Sequence, residues 1–221
     1  MESPAARTYA LAFQGTPPGG PRALQRALVA ALGAPGRVIE PHGPTVIAVA
    51  RSGDDRHAHE LAEALRSRIA AAAGDPGLSV GLGGPRDPER SLRLAALQAE
   101  QAVRLGRALF GPGRLTAFGD LGPYCFVLGR PIDEIRSFCQ TILGPLADRA
   151  QHEELRTLEE FLRGHGSVNA VARALFLHRN TVRQRLRRIS LLTGADLEDA
   201  GQRVQLYLAV LGRNALDELA S

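Results

Sequence analysis

The chain contains no lysine, so all 27 of its lysine-plus-arginine cations are arginines, set against 23 acids. Together with the abundant alanine, glycine and proline, this reflects a GC-rich coding bias. Arginine in place of lysine is therefore not in itself a sign of ligand recognition. Cysteine is nearly absent too: Cys125 and Cys139 stand alone, without the spacing of a zinc site, and two isolated thiols require no disulfide. No apolar stretch approaches the roughly 20 residues of a membrane span, and Met1-Glu2-Ser3-Pro4 does not open a basic-then-apolar leader. These absences exclude a disulfide scaffold, a zinc module and a helical membrane protein. They make the reducing cytoplasm the expected compartment.

What is present is 221 residues, enough for two compact domains or one large one, with an ordinary 44% hydrophobic content. The net charge is only +4, yet the pI is near 9.8. The basic excess that bears on a partner lies between Ser167 and Gly194, a segment with six arginines and no Asp or Glu. Such a field favours phosphate through counterion release.

Within it, Leu177 to Ile189 carries Val182, Leu186 and Ile189 at i, i+4 and i+7, a single buried stripe on a helix. With Val182 inward, Asn180, Arg183, Gln184 and Arg187 point outward. Arginine can bond guanine N7 and O6 together, and Asn or Gln can bond adenine N6 and N7 together, so this outer face has the chemistry of major-groove reading. Arg179, Asn180, Arg183, Gln184 and Arg187 are the expected base or groove contacts. Thr181 and Arg188 are the expected phosphate contacts, although Arg185 and Arg188 flank the stripe and could equally serve the domain's own acids. Upstream, Ser167 suits an N-cap, and Val168, Val171, Ala172 and Leu175 form one apolar face. That predicts a supporting helix over 168–175, a turn over Leu175–His178, and a recognition helix over 179–192.

Residues Leu155 to Leu211 resemble the C-terminal helix-turn-helix of PucR/CdaR-type bacterial transcription regulators. The matching pattern runs through Leu155-Arg156-Thr157-Leu158, Phe161-Leu162, Ala172-Arg173-Ala174-Leu175, His178-Arg179-Asn180-Thr181-Val182, Arg185-Leu186, Ile189, Thr193-Gly194 and Asp196-Leu197. The segment is also similar to the Fis-type helix-turn-helix, but Phe176 stands where many of those motifs place a glycine.

In the N-terminal half, strands are expected over Thr8–Gln14, Arg37–Glu40, Thr45–Ala50, Leu78–Leu82 and Leu115–Phe118. Helices are expected over Pro21–Leu32, Asp54–Ala73 and Pro88–Leu109, the last with Leu94, Leu97 and Ala102 inward. This order indicates an α+β sandwich with helices over an antiparallel-rich sheet. The half resembles the degenerate GGDEF-like domain of the same family, through Ser79-Val80-Gly81-Leu82-Gly83, Ser91-Leu92, Ala95, Ala99-Glu100, Ala102 and Phe118-Asp120-Leu121-Gly122. True cyclases of that fold carry an acidic motif in the central hairpin. Here the hairpin is Pro41-His42-Gly43-Pro44, which has no carboxylates to hold Mg²⁺ against a triphosphate. No enzymatic activity, cofactor or metal is expected. Gly81-Leu82-Gly83-Gly84-Pro85 lacks the Lys-Ser/Thr of a phosphate loop and reads as a strand end plus turn. His57 and His59, beside Asp54 and Asp55, read as an acid-rich helix start rather than a metal site.

The expected organisation is a GGDEF-like domain over residues 1–128, a linker helix over 129–150 interrupted at Gly144-Pro145, and a helix-turn-helix domain over 151–221. The expected partner is double-stranded DNA. A single helix-turn-helix reads few base pairs, so a homodimer or higher oligomer on repeated half-sites is expected. Members of the family this chain resembles commonly carry a sensor ahead of the GGDEF-like domain. With the first strand expected near Thr8, the expectation is that the sensor is absent or that the signal arrives through another protein, and an effector molecule is left open. The rival readings are a nucleotide sensor built on the GGDEF-like half and a protein-interaction platform without specific DNA readout.

Overall fold

A computed structural model describes residues 7–18, 20–32, 37–42, 45–86, 92–148 and 151–220. Gly33, Pro35, the hairpin residues Gly43 and Pro44, Ser91 and the N-terminal Met1–Pro4 lie outside the described residues. The chain divides into two compact units, 1–130 and 131–220.

The first unit is built on β1 (Arg7–Gln14), whose sequence alternates large and small apolar residues. Tyr9, Leu11 and Phe13 point to one face and Ala10 and Ala12 to the other, and all five are buried. Burial on both faces is why the strand reads as a continuous apolar run. β1 lies at the centre of a five-stranded sheet of order β2-β3-β1-β4-β5. The other strands are β2 (Arg37–His42), β3 (Thr45–Ser52), β4 (Ser79–Arg86) and β5 (Leu115–Ala117). All neighbours are antiparallel except β4 and β5. Helices α1 (Gly20–Leu32) and α2 (Asp55–Ala73) bring Leu24, Leu28, Ala62, Leu65 and Ile69 onto the large-residue face. Helix α3 (Leu92–Phe110) covers the small-residue face with Ala95, Ala99 and Val103. The unit is thus an α+β sandwich with the expected element order.

Three details differ from the sequence reading. β4 does not end at Leu82; it continues through Gly83 and Gly84 to Arg86. Gly81 and Gly83 sit mid-strand, directly under the backbone of α3. A Cβ on Gly81 would come within 2.0 Å of the Ala99 carbonyl oxygen, and one on Gly83 within 2.1 Å of that of Ala95. The glycine pair therefore serves helix–sheet contact rather than a turn. The same closeness decides which residues α3 buries. At the closest contacts only small side chains fit, so Ala95 and Ala99 are inward, with Val103 a turn further on, while Leu94 and Leu97 are only half-buried. Finally, β5 stops at Ala117, and Phe118–Phe126 forms 3₁₀ turns.

At the start of α2, the Asp54 carboxylate accepts from the His57 backbone N–H at 2.7 Å, an N-cap that accounts for the acids beside the histidines. Buried Gln101 of α3 clamps the end of the unit: its amide donates to Arg130 O at 3.0 Å and accepts from Gly129 N at 2.7 Å. Glutamine carries no periodicity signal, so sequence patterning passes over this clamp.

The second unit is all helical: α4 (Ile132–Leu143), α5 (His152–Arg163), α6 (Val168–Ala174), α7 (Arg179–Thr193) and α8 (Ala200–Ala220), with a 3₁₀ turn over Gly144–Ala147. The break after α4 falls at Gly144, whose φ is +52°. Inside the unit α4 packs on α8, burying Ile135, Cys139 and Leu143 against a helix that buries Leu206, Ala209 and Val210. The Cys139 thiol donates to Ala209 O at 3.3 Å, and burial pushes its pKa up to about 11, so it stays protonated. No described helix is long and apolar enough to cross a membrane.

Candidate nucleic-acid interface

The interface is built from α5, α6 and α7. Helix α5 buries Thr157, Leu158 and Phe161. Its chain leaves through Gly164, His165 and Gly166, and the Gly166 N–H closes on Phe161 O at 2.9 Å. Ser167 then caps α6: its hydroxyl accepts from Ala170 N at 3.2 Å. α6 is short, and Val171 is its fully buried anchor. It ends where Leu177 N bonds back to Ala172 O at 2.9 Å, with Phe176 between them in the left-handed region at φ +54°.

His178 starts α7. Its Nδ1 accepts from the Asn180 backbone N–H at 3.2 Å, satisfying one of the open amides of the first turn. Val182, Leu186 and Ile189 are buried, as the i, i+4, i+7 spacing predicts, and Gly194 closes the helix at φ +69°. Each of those three side chains contributes about 1.5–3 kcal/mol by leaving water. That burial fixes the rotation of the helix, and with it which residues face solvent.

The fixed rotation divides the arginines of α7 into two sets. Arg185 reaches back to α5, donating to Glu153 and, at 3.3 Å, to the Thr157 hydroxyl. Arg188 pairs with Glu154 at 3.2 Å and with the Gln151 amide oxygen at 3.4 Å. Glu153 and Glu154 lie in the first turn of α5, where the helix dipole also favours them. In the structure Arg188 lies against an acid of its own domain.

The other set is exposed. Arg179, Arg183 and Arg187 lie four residues apart in one row, with Asn180 and Gln184 beside them, and all five are exposed. The side chains of Arg179, Gln184 and Arg187 make no hydrogen bond or ion pair with the described residues. Arg183 donates to the Asn180 side-chain oxygen at 3.3 Å, which holds both on the same face. Thr181 is half-buried at the edge of that face. The row runs about 12 Å along the helix axis, a length comparable with three to four base-pair steps and with the width of the major groove. No acid lies on this face between Ser167 and Gly194.

Comparison with known proteins gives two family matches: residues 155–211 match the PucR C-terminal helix-turn-helix domain, and residues 3–105 match the GGDEF-like domain. The second match stops inside α3, short of Phe118–Gly122. Similar proteins include an uncharacterized protein in the pkwA 5′ region of Thermomonospora curvata, 41% identical over 80 residues, covering 35% of this chain and 44% of that relative. The purine catabolism regulatory protein of Bacillus subtilis is 33% identical over 82 residues, covering 36% of this chain and 15% of the relative. The carbohydrate diacid regulator of Escherichia coli is 47% identical over 55 residues, 25% of this chain and 14% of the relative. In each case the matched part spans less than half of the relative's own length.

Proposed function

Because the chain belongs to the proteins that join a GGDEF-like domain to a PucR C-terminal helix-turn-helix, we propose that it is a sequence-specific, double-stranded-DNA-binding transcriptional regulator of the cytoplasm. Helix α7 docks in the major groove and α6 crosses the backbone beside it. Arg179, Asn180, Arg183, Gln184 and Arg187 contact base edges, and Thr181 contacts phosphate. Arg188 reaches phosphate only by exchanging its bond to Glu154. The observation that carries this reading is the division of the arginines. Two are neutralised by α5, while the row on the opposite face is left uncompensated and aligned.

One α7 offers too few contacts for a unique site, so the reading includes a homodimer on paired half-sites. The GGDEF-like unit serves as its dimerisation or relay platform. That unit is not catalytic in this proposal, because the hairpin between β2 and β3 supplies no carboxylate pair for Mg²⁺. The names of the purine and diacid regulators support metabolite-responsive control of catabolic genes.

Selection of bound duplexes from a random pool by the full chain tests the proposal. The expected result is one enriched motif present as two spaced copies. Recovery of duplexes sharing no motif would count against specific readout and leave only phosphate attraction.

A further inference from the structure

We propose that Phe176 is a DNA-contacting residue: its ring packs on the apolar edge of the duplex, deoxyribose or thymine methyl, beside the bases that α7 reads. The inference rests on the DNA-binding reading above and extends it to a residue outside the arginine row.

Two observations at this position need a common cause. The first is conformational. Phe176 is held at φ +54° between α6 and α7, one of two non-glycine residues with positive φ among those described. The turn is closed on both sides by Leu175 N to Val171 O and Leu177 N to Ala172 O, each at 2.9 Å, so the conformation is imposed by the helix-turn-helix itself. Glycine adopts this conformation without strain and is the usual residue after a helix end. The second observation is exposure. Phe176 is 95% exposed. The strain of a bulky residue is therefore not offset by packing within the second unit, and a large apolar group is left in water. Strain retained at a fixed position without internal compensation points to an external contact.

The surroundings name that contact. Phe176 follows Arg173 and precedes Arg179, both exposed, and the segment from Ser167 to Gly194 has no acid. The occupant must therefore be strongly anionic and still offer apolar surface. Duplex DNA does both, through its phosphates and through its sugars and thymine methyls. The position also fits: the turn opens directly into the first residues of α7, the end that enters the groove in helix-turn-helix docking.

The chain has no tryptophan, so Phe176→Trp in the full chain places a single indole at the turn. The probe is the duplex most enriched by the wild-type chain from a random pool, with binding followed separately by anisotropy of a label on the DNA. The expected result is that indole emission is quenched with the same midpoint as the anisotropy change. In parallel, Phe176→Gly and Phe176→Asn are expected to bind that duplex about tenfold more weakly, the share of a phenyl group's transfer energy that a half-covered ring recovers. Phe176→Gly is also expected to raise the unfolding midpoint by about 4–8 °C as the strain is relieved. Higher stability with lower affinity cannot come from damage to the fold. Indole emission that stays unchanged while the DNA is bound, or glycine and asparagine variants that bind like wild type, would overturn the inference and leave the DNA reading intact. A wild-type chain that fails to bind the duplex would instead sink the DNA reading itself.

Discussion

Replacing Arg183 and Arg187 together with alanine is expected to weaken binding to the enriched duplex about thirty- to twenty-thousand-fold, since each bidentate guanine contact discriminates by about 1–3 kcal/mol. Binding to a scrambled duplex of the same composition falls far less, because phosphate attraction depends on the whole cationic field rather than on these two fork geometries. Stability is expected to change by no more than about 0.5 kcal/mol per site, since both side chains are exposed and neither makes an ion pair with a described residue. Arg185→Ala is the matched control. Set against either single substitution, it removes an equal charge from the same helix, but that charge already faces Glu153 and Thr157. Equal losses on enriched and scrambled DNA would assign the row to phosphate contact instead of base reading.

Gly81→Ala and Gly83→Ala, combined, are expected to unfold the first unit. Each new methyl would stand about 2 Å from a backbone carbonyl oxygen of α3, and a second backbone atom lies 2.6 Å away in both cases. Backbone inside a helix cannot rotate aside as a side chain can, so α3 must lift off the sheet. Overpacking costs about 1–3 kcal/mol at a single well-packed site, occasionally more, and here two adjacent contacts open the same interface. Two such sites cost about 2–6 kcal/mol or more, which exhausts a unit at the lower end of the usual domain stability of about 5–15 kcal/mol. Hydrogen exchange followed by mass spectrometry checks this: amides of β1, β4 and α3 lose protection while those of α5 to α8 keep theirs. Gly53→Ala, where an added Cβ meets nothing within 4 Å, is the control expected to leave exchange unchanged. Full protection retained in the double variant would mean that α3 is not seated on this glycine pair.

The contrast between the two units explains what the sequence made legible. In α7 the spacing of Val182, Leu186 and Ile189 was sufficient, because three large apolar residues fix the rotation of a helix and everything else follows from it. The Ser167 cap was readable because local chemistry decides it. In α3 the same logic pointed to Leu94 and Leu97. It failed because the face is selected by contact with the preceding strand β4, whose Gly81 and Gly83 bring the backbone of α3 close at Ala99 and Ala95. The true length of β4 was hidden by those same glycines, which usually signal a turn. The pairing of Arg185 and Arg188 with Glu153 and Glu154 joins residues 32 and 34 positions apart. Sequence could say that these arginines flank the stripe, but their ion pairs with Glu153 and Glu154 follow from the packing of α5 on α7.

The central claim, that the bare arginine face reads sequence, is tested most directly by one ratio. This is the affinity of the full wild-type chain for its enriched duplex relative to the scrambled duplex at physiological salt. Sequence-specific regulators exceed their non-specific binding by about 10³–10⁷-fold, and the account predicts a ratio of at least about 10³. A ratio near one, with both affinities falling together as salt rises, would contradict it.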